Sequence, residues 1–150
     1  MRAVLGAMRA AGSMVGSTGV FQVLAQALGN TGQAEAGLVL MDEAQEFVAR
    51  SGERYNEMEL YRVKGDLLLA LPTPDPAGAE AAFRQALDVA RRQSAKSWEL
   101  RAATSLARLW QRLGRKQEAR ALLAPVYDWF TEGFDTQDLK DAKALLEELA

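Results

Sequence analysis

The chain has 150 residues, 49% hydrophobic and 25% charged, with a formal charge of −2. That length suits one domain with a continuous core, and the composition argues against a disordered tail or a membrane span. Cysteine and histidine are both absent, which removes disulfides, thiol nucleophiles, imidazole bases and the usual zinc ligands, while the slight acidity gives no bulk attraction to nucleic acid or anionic lipid.

Residues 1–12 place Arg2 and Arg9 among alanines without the uninterrupted apolar centre of a secretory signal, so the chain reads as cytoplasmic. They read as a remnant helix, the second of a preceding pair whose partner is missing. Val4, Leu5 and Met8 are then left to dock on another copy or on an upstream domain. Alanine, leucine, glutamate, glutamine and arginine fill the long runs that follow, and no segment alternates as a strand would. Glycine, serine and proline breaks at 12–19, 29–32, 51–52, 71–78, 94–97, 114 and 133–136 divide the chain into about eight helical segments.

Along the segments a face recurs at i, i+3, i+4 and i+7. It reads Phe21, Leu24, Ala25, Leu28, then Tyr61, Lys64, Gly65, Leu68, then Ala103, Leu106, Ala107, Trp110. A partner face at i, i+4 and i+7 follows each time: Gly37, Met41, Ala44, then Ala79, Phe83, Ala86, then Ala119, Leu123, Val126. Small residues let two helix backbones approach, and the large residue between them fills the neighbouring turn. Spacing strengthens the case. Nine positions separate Leu28 from Gly37 and Trp110 from Ala119, and seventeen separate Ala44 from Tyr61 and Ala86 from Ala103.

The period is 40 from Ala25 to Gly65 and 42 from Gly65 to Ala107, and Gly32 and Gly114 take matching places where a positive φ ends a helix. Asn56 and Glu59 suggest a capping box, Asp75 a cap before Pro76, and Asp135 or Thr136 a start for the last helix. Pro125 should kink its helix. Helix pairs at a fixed period must stack to bury their apolar faces. The expected single domain, 1–150, is all-α, with antiparallel pairs over about 17–51, 56–94 and 97–133 and a capping helix at 136–149.

These patterns, with Leu113-Gly114-Arg115-Lys116-Gln117-Glu118-Ala119, resemble the tetratricopeptide repeat family, although the period exceeds that family's commonest unit of roughly 34 residues. The stretches 59–71, 79–87 and 95–149 resemble more narrowly the C-terminal helical region of large bacterial signalling proteins, in which such repeats follow a predicted ATPase and a cyclase or DNA-binding domain. The resemblance implies a right-handed superhelical stack and a regulatory or interaction role, with a protein or peptide partner, no nucleic acid and no membrane. The phosphate-binding loop of that ATPase is missing from this sequence.

In stacks of this kind the first helices line a concave groove, which would present Arg62, Arg101, Arg108 and Arg112 with Gln22 and Gln26 to an acidic peptide or a terminal carboxylate. Against this stands a plainer reading, in which the arginines are solvated surface paired with Asp66 and Glu99. The tryptophans, Tyr127 and Phe130 read as packing rather than as a ligand pocket. No convergent acid–base set can be named, and neighbours such as Asp42 and Glu43 diverge on a helix, so neither catalysis, cofactor nor metal is expected. A small-molecule sensor is the alternative function, and an unfilled pocket between helices would favour it.

Overall fold

The computed structural model describes residues 18–52 and 57–150, the side chains of 18–21 excepted. The expected remnant helix with Val4, Leu5 and Met8 lies outside the described residues, as does Asn56 of the expected capping box. Seven helices occur among the described residues: α1 Thr18–Asn30, α2 Ala34–Ser51, α3 Glu57–Ala70, α4 Pro76–Arg92, α5 Lys96–Arg112, α6 Lys116–Asp128 and α7 Gln137–Leu149. None is long and apolar enough to cross a membrane. The breaks expected at 12–19 and 29–32 were drawn too wide, since Thr18, Gly19, Gly29 and Asn30 are helical.

Local chemistry sets the ends. Asp75 caps α4, its side chain accepting from the Gly78 amide at 3.0 Å, and Pro76 opens the helix where no amide partner is needed. Gly32 and Gly114 adopt φ of 77° and 80°, which lets the next amide turn back onto the helix just ended. Gln33 donates to the Leu28 carbonyl at 2.7 Å and Arg115 to that of Trp110 at 2.8 Å. Ala95 donates in the same way to Ala90, at 2.9 Å, with Ser94 rather than a glycine at φ 53°. Thr136 precedes α7 without a side-chain capping bond. Pro125 is exposed inside α6, which ends three residues later.

Three hairpins follow, α1 with α2, α3 with α4 and α5 with α6. Their opposed directions show in contacts at both ends. In the second hairpin Gly65 meets Phe83 near the turn while Met58 clusters with Val89 and Ala90 at the far end. In the third, Arg115 lies over Trp110 at 4.7 Å and Lys96 over Trp129 at 5.3 Å. Each hairpin also touches the next, and the odd helices α1, α3, α5 and α7 touch in sequence.

Both recurring faces are largely interior. Ala25, Leu28, Met41, Ala44, Phe83, Ala86, Ala103, Ala107, Ala119 and Leu123 are at most 2% exposed, whereas Lys64, at the least apolar position of the pattern, is half-buried. At Gly65 a Cβ would lie 2.4 Å from the Phe83 ring. The missing methyl therefore lets a fully buried phenyl sit across the hairpin, a burial that contributes about 3 kcal/mol. The core falls into three clusters that share α3, with Leu60, Val63 and Leu67 facing α1 and α2, Tyr61 and Leu68 packing against α4 and α5, and Met58 joining Val89.

Candidate functional site

The odd helices run parallel, and their polar side chains bridge from one to the next. Gln22 bonds Glu59 at 3.1 Å, Arg101 bonds Asp138 at 2.9 Å and Gln111 bonds Glu148 at 3.0 Å, each pair 37 residues apart. A first helix about twenty residues from the next first helix could not produce that offset, so each bridge spans a whole hairpin and its connections. The face formed by these helices carries every residue that the sequence nominates.

Glu59 is the centre of this face. Only 1% exposed, it accepts both Nε and Nη2 of Arg62, at 2.7 and 2.9 Å, and Gln22 Nε2, with Arg101 Nη1 at 3.4 Å. A carboxylate so buried is stable only when its lone pairs are filled, and a forked guanidinium one turn along the same helix fills two of them. Arg62 reaches Asp66 with its remaining arm at 3.0 Å. Burial works against the Arg62 charge, but bonded Glu59, with Asp66 and Asp138, outweighs it and raises the guanidinium above its ordinary range. Arg101 is raised in the same manner, burial opposing and Asp138 and Glu59 prevailing. Asp66 moves upward, pushed mainly by desolvation and further by Glu59 against the pull of Arg62, Arg108 and Arg112. Its carboxylate is nonetheless half exposed, so the surrounding protein limits its hydration without sealing it off.

The six nominated residues therefore separate. Gln22, Arg62 and Arg101 converge on Glu59. Arg62, Arg101 and Arg108 line one cavity of about 220 Å³ with Thr104, Asp138 and Asp141. Gln26 lines another, about 300 Å³, with Asp66 and Asn30 between α1 and α3. Arg112 lines neither. Arg108 and Arg112 are exposed and, among the described residues, make no ion pair, one turn apart on α5. Arg62 does pair with Asp66 as in the plainer reading, but it is 13% exposed rather than solvated, and Glu99 pairs with Lys96 and Arg91 rather than with any nominated arginine. Reading Glu59 as a cap missed its part in the face, although the spacing of Glu59, Arg62 and Asp66 on one helix could have revealed it. Asp138, far away in sequence, gave no such signal.

A second cluster joins α4 to the turn between α5 and α6. Arg84 and Arg115 flank the buried Trp110 ring at 5.2 and 4.7 Å and both bond Glu80. Burial raises the Glu80 carboxyl, but bonded Arg84, with Arg115, holds it below the usual carboxylate range. Trp110 thus packs as expected, and Trp98 is covered by Arg101 at 4.8 Å. Trp129 does not pack in the core: it is 58% exposed, at the C-cap of α6. Among the described residues no three acidic side chains are placed to hold a metal ion. Compared with protein-family models, curated proteins and solved structures, the chain matches none.

Proposed function

We propose that the chain is a tetratricopeptide-type module for protein–protein contact, working by shape and surface charge without chemistry of its own. The observation that carries this reading is the parallel row of odd helices, bridged by polar side chains 37 residues apart between α1 and α3 and between α5 and α7, and by Arg101 and Glu59, 42 apart, between α3 and α5. In this reading the hairpins wind as a right-handed superhelix with α7 as the closing cap, and the partner is a peptide or protein segment bearing carboxylates. Within the face, Arg108 and Arg112 receive it, because Arg62 and Arg101 already hold carboxylates of the chain itself. Regulation of an output domain is the role this reading gives the module, by its resemblance to the helical tails of bacterial signalling proteins.

Short acidic peptides with free and amidated C-termini, titrated against the chain by calorimetry, test this. Binding that weakens on Arg108→Ala/Arg112→Ala and falls with salt is the expected result. Affinity unchanged in that double variant, whose two sites are exposed and need not disturb folding, rules out the charged face as the docking surface.

A further inference from the structure

A wider cavity than those of the charged face lies elsewhere among the described residues. About 650 Å³ lies open between the start of α5, the connection 129–136 and the start of α7, within the range of small-molecule sites. Leu100 and Leu139, both buried, form its apolar floor. Trp129 and Phe130 form one wall, edge to face at 5.1 Å. Trp129 stays 58% exposed there, an unusual state for an indole beside an apolar floor.

The polar groups give the ligand its charge. Asp138 is bonded to Arg101 through both oxygens, which leaves Glu132 as the carboxylate of the lining that has no ion pair among the described residues. Lys96 stands over the Trp129 ring and shares the Glu99 carboxylate with Arg91, at 3.4 and 3.6 Å. The partial positive charge at the start of α7 is met by Asp138 in its first turn. The Thr136 hydroxyl makes no capping bond and faces the same space. A flat apolar body with one positive charge fits these walls.

We propose that this cavity binds a small aromatic amine, its ring against Trp129, Phe130 and Leu100 and its ammonium at Glu132. The site shares Asp138 with the charged face, but neither Arg108 nor Arg112 lines it.

Phenethylamine, 2-phenylethanol and phenylacetate share a ring and differ in charge, and none emits in the tryptophan window. Titrated against the full chain, phenethylamine should give saturable shifts in the Trp129 indole and in the Gly133 and Thr136 amides, with at least about ten-fold preference over phenylacetate. Glu132→Gln should level the three affinities. Trp129→Leu should weaken phenethylamine about five-fold or more. No saturable shift up to millimolar phenethylamine, an equal or stronger response to phenylacetate, or a preference that survives Glu132→Gln overturns the proposal. Both substitutions are at exposed positions, and circular dichroism checks that the fold persists.

Discussion

Replacing Glu59 by alanine tests the electrostatic centre of the odd-helix face directly. Its carboxylate is 1% exposed and filled by three bonds from Arg62 and Gln22, while the Arg62 side chain is itself 13% exposed. Removing one member of a buried pair leaves the other charge without its counter-ion, at a cost of about 3–5 kcal/mol. Arg62 retains Asp66 and Arg101 retains Asp138, which places the loss near the lower bound, about 3 kcal/mol. For a domain whose whole stability is about 5–15 kcal/mol, that is a large fraction. The double variant Glu59→Leu/Arg62→Met removes both charges at nearly constant volume and should fall within about 1 kcal/mol of the parent. Urea unfolding followed by circular dichroism gives both numbers, with the slope reporting any change in compactness. If Glu59→Ala costs less than about 1 kcal/mol, or the double variant costs as much as the single one, the carboxylate is not what ties these helices together.

Two further perturbations probe the packing and the titration. Gly65→Ala brings a Cβ to 2.4, 2.7 and 2.8 Å from three atoms of the Phe83 ring. Overpacking of about 1–3 kcal/mol then opposes a helix gain of about 1 kcal/mol, so the variant melts lower and Phe83→Leu partly relieves it; a variant that melts higher would show the ring moves freely. Glu80 is held below its ordinary 4.5 in the folded chain, so the unfolded chain binds its proton more tightly. The stabilisation is complete above 4.5 and is lost as pH falls through the depressed folded value. Glu80→Gln should therefore flatten the decline of melting temperature in that acidic window, where Arg84, Arg115 and Glu118 surround the group. A decline identical to the parent's below 4.5 removes Glu80 from the cause.

The helical character was legible from local rules. Asp75 with Pro76, and Gly32 and Gly114 at their turns, are short-range signals, because a cap or a positive φ depends on a few neighbouring atoms. The two small-and-large patterns identified most interior positions for a similar reason: a helix has a fixed pitch, so one buried face must recur along the chain. Ser94 escaped that logic, since the left-handed conformation it adopts is read from sequence only when glycine marks it.

The polar face is a different matter. Arg62 and Asp66 lie one turn apart and their pairing follows from helix geometry alone, whereas the partners of Arg101 and Gln111 come from a helix 37 residues on. Their identity depends on the relative depth and rotation of packed helices, which periodicity does not encode. Exposure of Trp129 at the C-cap of α6 has the same origin.

The sequence by itself determined where this chain turns and which side of each helix is apolar, since both follow from bonds and sterics within a few residues. Tertiary structure alone decided which charges cancel, leaving Arg108, Arg112 and Glu132 without an ion pair among the described residues. Coulomb energy depends on distances through space, and those exist only once the hairpins are packed.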